Sequence, residues 1–478
     1  MQLRPYQQKL ISDIFHHWKN NRKRVLLQSG TGTGKTVMFN HIAALAEKKG
    51  HRVLIIADRR ELIMQAYKKL YKASGIHAGI IMSGVAPAYH LPVQIASVQT
   101  LNRRSFPPDI NLVIIDECRG SVAPTYAPIF GQYKDAFFLG VDATPIRTNG
   151  QGFDHIYQEM VIGPSIKEME LAGALVPANV KVNPINQSSL SQIKMIGGDY
   201  DEGQLSRVMM GDGIMAGLVA SKQKHAPGEK TICFAVNIEH SKAIAAKYNQ
   251  AGVRALHVDG ESDDRDRIFN SFENRDVEVL TNVGIATYGY DNPFITCVQL
   301  ARPTKSVALY LQMVGRGART CNFSDGSTKH YYTLLDHANC RIEHGAPNAE
   351  RKWTLKGKGK AAPSKEDKKI KMIFGDGKER IVSARELPKD LEGVVLVDMS
   401  DAELEGIGRK QKFDKINERR LKSSYQPMWA YFRFMQEVKD YTLEDLQYIE
   451  KQLNFKYGWS GFKWKEKTSK EGRSGALQ

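Results

Sequence analysis

Residues 25–36 read Val25-Leu26-Leu27-Gln28-Ser29-Gly30-Thr31-Gly32-Thr33-Gly34-Lys35-Thr36: an apolar run, a glycine-rich loop and the opening of a helical pattern. This order builds a nucleoside-triphosphate pocket. The glycines let successive backbone N–H groups turn inward around phosphate oxygens, and the helix N-terminus adds its positive dipole end. Lys35 supplies a mobile charge for the β- and γ-phosphates, and the Thr36 hydroxyl is a ligand for Mg²⁺. The strict loop pattern asks for glycine at position 29, where this chain has Ser29.

Outward from the loop, residues 1–160 alternate short apolar strands with helical stretches. Val25–Gln28, 53–57, 93–98, 112–115 and 137–141 read as buried strands, and 61–71 as a helix between two of them. Buried strands alternating with helices predict a parallel sheet covered on both faces. Residues 163–228 are less regular, punctuated by Pro177, Pro184, Gly197-Gly198 and Gly211-Asp212-Gly213, and read as a linker with a small insertion. The alternation resumes with strands near 231–235, 255–258, 277–280, 298–300 and 331–335, and helices near 238–250, 263–274 and 306–314. The expected fold class is α/β, with two tandem domains spanning 1–160 and 161–345. A basic linker then covers 346–371, with a smaller α+β or mostly helical accessory domain over 372–478. A hairpin turning at Gly375-Asp376-Gly377 and helices near 401–422, 427–439 and 442–454 belong to that last stretch.

At 478 residues the chain is too long for a single core. Its net charge of +16 favours a polyanionic partner, nucleic acid before a membrane surface, and half of that charge falls within residues 346–478. The five cysteines form no C-x-x-C pair, which argues for a reducing compartment and against a disulfide framework or a structural zinc site. The first residues lack the apolar core of a signal peptide, and no apolar run approaches the roughly 20 residues of a bilayer span. A cytoplasmic location is expected, with no membrane partner.

Two further clusters carry chemistry. Asp116-Glu117 closes the strand near 112–115, where Asp116 can hold Mg²⁺, in part through its water shell, and Glu117 can orient and deprotonate an attacking water. Gln312-Met313-Val314-Gly315-Arg316-Gly317-Ala318-Arg319 sets two arginines three apart, so that both can reach one face. Guanidinium groups stabilise the charge that γ-phosphate cleavage places on equatorial oxygens. These arginines belong to the other domain from Lys35, so hydrolysis would require the two domains to close on ATP.

Over residues 1–345 the chain resembles superfamily 2 helicases and translocases, which carry two RecA-like domains. Leu3-Arg4-Pro5-Tyr6-Gln7 is similar to the adenine-reading segment, implying Arg4 and Gln7 as base contacts. Ser29–Thr36 resembles the first motif, implying Ser29, Gly30, Thr31, Gly32, Thr33, Gly34, Lys35 and Thr36 as nucleotide-binding residues. Asp58-Arg59-Arg60-Glu61-Leu62 with Gln65, and Ala96-Ser97-Val98-Gln99-Thr100, resemble the strand-contacting segments of the first domain. Asp142-Ala143-Thr144-Pro145 falls at the coupling motif. Thr281-Asn282-Val283 with Gly289 and Asp291 resembles the fifth motif, and Gln312–Arg319 the sixth. Ala301-Arg302-Pro303-Thr304-Lys305, Leu335-Asp336-His337-Ala338, Glu343-His344-Gly345 and Pro427-Met428-Trp429-Ala430-Tyr431-Phe432 are similar to RadD-like bacterial and phage helicases, with UvsW-type phage branch-migration helicases as neighbours. The cysteine cluster of the RadD group has no counterpart after Cys340, so no zinc is expected.

The resemblance implies a catalytic set of Lys35, Asp116, Glu117, Gln312, Arg316 and Arg319, with ATP and Mg²⁺ as cofactors. It departs at two positions. The second motif reads Asp116-Glu117-Cys118-Arg119 rather than ending in His or Asp, and the coupling motif begins with Asp142 rather than Ser or Thr. An ion pair between Arg119 and Asp142 would replace the usual link between the two motifs; the alternative is a weakening substitution at Arg119. Arg60, Ser97, Gln99, Thr100, Thr281, Arg302, Lys305, Trp429 and Arg433 are the expected nucleic-acid contacts, suited to tracking a backbone without reading bases. The aromatics of the tail serve equally as stacking platforms or as a small core. The expected function is an ATP-dependent DNA helicase or translocase acting on forked or branched DNA in repair, recombination or replication. It would work in a bacterial or phage-infected cytoplasm, with a single-strand-binding or recombination protein as a further partner. An ATP-gated clamp with weak turnover and an RNA helicase are the alternatives.

Overall fold

The computed structural model describes residues 3–147, 151–182, 187–260, 262, 264–274, 276–284, 290, 292–357, 369–373, 379–383 and 395–398. Within 413–463 it describes 413–414, 416–417, 420–421, 427–438, 441–456, 460 and 463.

The β-branched runs of the first 160 residues form parallel strands because each is apolar on both faces and flanked by helices that cover it. β1 (Arg24–Gln28), β2 (Arg52–Ala57), β3 (Gly79–Ile81), β4 (Val93–Ser97), β5 (Ile110–Asp116), β6 (Phe137–Asp142) and β7 (Glu159–Ile162) make a sheet in the order β3-β4-β2-β5-β6-β1-β7. On one face, helices Pro5–Lys19, Lys35–Lys48 and Arg60–Ser74 bury Ile14, Phe39, Ile63 and Leu70 against it. On the other, Tyr126, Ile129, Phe153 and Tyr157 close a second apolar layer. β1 lies between β6 and β7, so the phosphate loop leaves the carboxyl edge of the sheet, where ligands of open α/β sheets bind.

The second lobe begins earlier than its periodicity suggests. β8 (Ala178–Val182) pairs parallel with a strand more than 150 residues later, and its single apolar-polar alternation gives little local signal. The segment read as a linker instead carries a hairpin, β9 (Met195–Ile196) and β10 (Asp199–Tyr200), and helices Glu202–Met209 and Asp212–His225. β11 (Thr231–Phe234), β12 (Ala255–Val258), β13 (Val279–Asn282), β14 (Cys297–Leu300) and β15 (Tyr332–Asp336) then order as β12-β13-β11-β14-β15-β8, all parallel. The sheet is the expected second RecA-like layer.

After helix Cys340–His344 the chain returns to the first lobe. Phe153 and Asp154 donate their backbone N–H groups to the Leu355 carbonyl, at 2.6 and 3.2 Å, and Leu355 packs on the Phe153 and Tyr157 layer. A Cβ on Gly152 would collide with the Leu355 oxygen, so the strap fits only over glycine. Arg351 pins the turn before it, donating to the carbonyls of His344, Ala346, Pro347 and Ala349.

A separate carboxyl-terminal unit centres on helices Pro427–Glu437 and Leu443–Gln452. Thr442 and Asp445 form a reciprocal capping box, and Phe413, Tyr431, Phe434, Leu446 and Ile449 pack together. Tyr431 and Phe434 therefore serve as core. The side chains of Trp429 and Phe432, and the hairpin expected at 375–377, lie outside the described residues. Among the described residues no helix is long and apolar enough to cross a membrane.

Candidate active site between the two lobes

The loop after β1 is held from within. The Ser29 N–H donates to the Asp142 carbonyl at 3.0 Å, fastening the loop to the end of β6. The hydroxyls of Ser29 and Thr33 bond at 2.7 Å, so serine at the departed position supplies an internal tie that glycine could not. Gly32 and Gly34 adopt φ of +84° and +83°, which L side chains rarely tolerate. Lys35 Nζ donates to the Gly30 carbonyl at 3.2 Å. Burial lowers the Lys35 pKa, opposed by Glu117, Asp116 and Asp142. Gln7 is buried against this loop: its Nε2 donates to the Thr33 carbonyl at 3.0 Å and its Oε1 accepts the Arg4 N–H at 3.0 Å. Tyr6 adds a hydroxyl bond to the same carbonyl, at 2.6 Å.

The acidic pair sits at the end of β5. Glu117 has φ of +50°, a left-handed conformation costly for a side-chain-bearing residue and concentrated at functional sites. Asp116 accepts the Glu117 N–H at 3.0 Å, and burial together with the Glu117 charge pushes its pKa up to about 7. Burial also raises the pKa of Glu117, with Asp142 adding to the rise and Arg119 and Lys35 opposing it. A buried carboxylate pair crowded by a third acid fits a bound divalent cation, which would relieve that repulsion. Among the described residues no three His, Cys, Asp or Glu side chains converge in a group that could hold a metal ion by themselves; a magnesium ion here would draw on one or two carboxylates together with the phosphates of the nucleotide.

Arg119 stands between two acids. Its guanidinium pairs with Glu117 Oε2, its backbone N–H donates to Asp142 Oδ2 at 2.9 Å, and its Nε lies 3.9 Å from that oxygen. Asp142 Oδ1 accepts the Thr144 N–H at 2.8 Å. The two departures from the family pattern are thus in contact, with the guanidinium resting chiefly on Glu117.

The second lobe completes the site. Helix Val307–Val314 ends at Gly315, so Arg316 and Arg319 project from the turn beyond it rather than from one helical face. Gln312 Nε2 donates to Glu117 Oε2 at 3.1 Å, across the lobes. A Cβ on Gly315 would lie 2.9 Å from Thr31 Cβ, so the sixth motif presses directly on the phosphate loop. Lys35, Thr36, Asp116, Glu117, Gln312, Arg316, Arg319 and Arg4 line one interlobe cavity of about 340 Å³. Gly289 and Asp291 lie outside the described residues.

The expected nucleic-acid contacts divide. Arg60 is exposed at the start of its helix. Ser97, Gln99 and Thr100 cluster at the end of β4, where Ser97 Oγ donates to Gln99 Oε1 at 2.7 Å and caps the Thr100 N–H. Thr281 does not join them: it is fully buried, its hydroxyl bonded to Ser241, and braces the second lobe's core. Arg302 reaches the Val236 carbonyl, and Lys305 pairs with Glu343 at 2.7 Å. Arg433 is exposed on the carboxyl-terminal unit. Two interlobe contacts had no signal in the sequence: Arg59 Nη1 to the Gly284 carbonyl at 3.2 Å, and Arg265 to Glu61 at 3.0 Å. Their residue types are ordinary for solvated helix starts.

A phosphate loop in one parallel-sheet lobe, faced by Gln312 and two arginines from a second such lobe, defines a two-lobed ATPase of the RecA type. Residues 1–147 match the family described as type III restriction enzyme, res subunit, and residues 214–321 that described as helicase conserved C-terminal domain. A 51.5 kDa protein of a Lactococcus phage (isolate 7-9) is 31% identical over 331 residues, 69% of this chain and 68% of that protein. IRC3 of Saccharomyces cerevisiae, provisionally named an ATP-dependent helicase, is 31% identical over 353 residues, 68% of this chain and 50% of that one. The chain therefore aligns with half the length of that yeast relative. The chain belongs to the superfamily 2 helicases, a family of ATP-hydrolysing enzymes. The DNA-bound type ISP restriction-modification enzyme LlaBIII shares the fold, with a TM-score of 0.53 at 16% identity, over 71% of this chain and 28% of that one.

Proposed function

We propose that this chain is a DNA-stimulated ATPase that converts interlobe closure into movement along a nucleic-acid backbone, remodelling forked or branched DNA. The observation carrying this reading is the cavity shared by Lys35 and Glu117 of one lobe and Gln312, Arg316 and Arg319 of the other. The phosphate loop and Lys35 hold the triphosphate. Thr36 and Asp116 would hold Mg²⁺, which when bound neutralises developing phosphate charge. Glu117 accepts a proton from the attacking water, with Gln312 fixing the orientation of its carboxylate. Arg316 and Arg319 neutralise charge on the equatorial oxygens. Because these groups come from both lobes, catalytic geometry and lobe closure are one event. Arg60 and the Ser97–Thr100 cluster lie at the carboxyl edge of the first sheet, positioned to register that movement on a phosphate backbone.

The Arg119–Glu117 pair supports a second reading, an ATP-gated clamp with weak turnover, since a guanidinium on Glu117 competes with the attacking water. The deciding experiment measures ATPase at fixed salt with single-stranded, duplex, forked and four-way-junction DNA and with RNA. Strong stimulation by forked or branched DNA, abolished by Glu117→Gln, supports the motor. A Glu117→Gln protein as active as its parent overturns it.

A further inference from the structure

A lysine is almost never fully buried unless its charge is satisfied, yet Lys329 is only 4% exposed. The chain reaches this position by a short excursion beyond Arg319 that doubles back on itself. The Phe323 N–H donates to the Ser327 carbonyl at 2.8 Å, and the Lys329 N–H to the Cys321 carbonyl at 3.0 Å. Lys329 is thereby returned to the turn that bears Arg316 and Arg319, just before β15 begins at Tyr332.

An ammonium carries three N–H donors and no acceptor. Three backbone carbonyls accept from Lys329 Nζ: Gly317 at 2.6 Å, Ile295 at 2.5 Å and Pro293 at 3.3 Å. Gly317 lies between the two arginines, and it packs so closely on the Tyr332 ring that a Cβ would collide with it. The next peptide is fixed as well, the Ala318 carbonyl accepting the Val176 N–H at 2.8 Å. Pro293 and Ile295 belong to the segment entering β14, and just upstream the Tyr290 carbonyl accepts Arg316 Nη1 at 2.6 Å. One ammonium therefore joins the peptide from which the arginines depart to the segment on which Arg316 rests. Burial lowers the pKa of Lys329 to about 8; Cys321 and Glu229 oppose the shift and Arg319 adds to it. Once the proton leaves, two N–H groups and a lone pair face three carbonyls, and one carbonyl loses its donor.

We propose that Lys329 is a positioning residue for ATP hydrolysis, its ammonium holding the Gly317 peptide and the segment beneath Arg316 in the geometry that presents both guanidinium groups to the γ-phosphate. The inference rests on the reading of Arg316 and Arg319 as the groups that neutralise phosphate charge. The test measures kcat and KM for ATP on the full chain, comparing parent, Lys329→Met, Arg316→Ala and the two combined. Methionine keeps the length of the side chain and removes its donors. Lys329→Met is expected to lower kcat about tenfold with KM within about twofold, because Lys329 lies outside the nucleotide cavity. In the Arg316→Ala background the same change should cost less than about threefold, since one of the groups it positions is already gone. The parent itself supplies a measurement that needs no variant: its kcat should fall with an apparent pKa near 8 as pH rises, a limb that Lys329→Met should lack. A Lys329→Met protein with parental kcat, an equal loss in both backgrounds, or a parent profile flat from about pH 7 to about pH 9 would each overturn the assignment. Arg316→Ala and Arg319→Ala proteins as active as the parent would instead overturn the reading on which it rests.

Discussion

Arg119 and Asp142 depart together from the pattern of their family, and their geometry makes a quantitative prediction. At 3.9 Å between Arg119 Nε and Asp142 Oδ2, two unit charges interact by about 4 kcal/mol at an effective dielectric of about 20. Desolvation of Asp142, which has no exposed surface, and the competing pair with Glu117 cancel much of that. A net coupling of about 1–2 kcal/mol remains, or about 5- to 30-fold in rate. The perturbation is a double-mutant cycle with Arg119→Met and Asp142→Asn; asparagine removes the charge and keeps one acceptor oxygen, so that one of the two N–H groups, of Arg119 or Thr144, loses its partner in the single and the double variant alike and cancels in the cycle. The assay is kcat for DNA-stimulated ATP hydrolysis, read beside KM for ATP. The expected result is that each single variant is slow and the double variant is little slower than either. Strictly additive effects, with coupling below about 0.3 kcal/mol, would refute the linkage. A faster Arg119→Met protein whose rate ignores residue 142 would show Arg119 to be a brake on Glu117.

Gly315→Ala brings a Cβ within 2.9 Å of both Thr31 and the Leu311 carbonyl, so it should push the sixth motif off Thr31 and lower kcat for ATP hydrolysis several-fold; an unchanged kcat would count against it. Leu355→Ala should lower the melting temperature of the first lobe by removing a partly buried side chain worth about 1–2 kcal/mol, read by calorimetry. Burial lowers the pKa of His240 to about 4 and of His337 to about 3, so both stay neutral in the fold and gain protons on unfolding below about pH 6.5. Stability of the second lobe should therefore fall as pH drops from about 6.5 towards 4. Replacing either histidine with glutamine should reduce the slope of unfolding free energy against pH by about 1.4 kcal/mol per unit, measured by urea titration.

The phosphate loop and the parallel sheets were legible because each rests on a local pattern: glycines at fixed offsets, and apolar runs of strand length. β1, β2, β12 and the helix Ile238–Gln250 lie within a residue of their expected bounds for that reason. β8 was not legible, since its place depends on pairing with β15, far along the chain. Thr281 was misplaced by analogy of position: its motif runs at the carboxyl end of a strand, but a hydroxyl there can turn inward, and Ser241 gives it reason to. Arg316 and Arg319 reached the expected cavity by an unexpected route, from a glycine-broken turn. The contact between Arg119 and Asp142 was foreseeable from two paired departures, whereas the grip of Arg119 on Glu117 required coordinates.

The strap ending at Leu355 means that the second lobe is joined to the first at both of its ends, by the chain entering at β8 and by the chain leaving after His344. A body fastened twice swings like a door on two hinges. If the chain is the motor proposed above, those fastenings would channel each cycle of nucleotide binding into rotation about the line through them and suppress sideways drift that yields no stride along a strand.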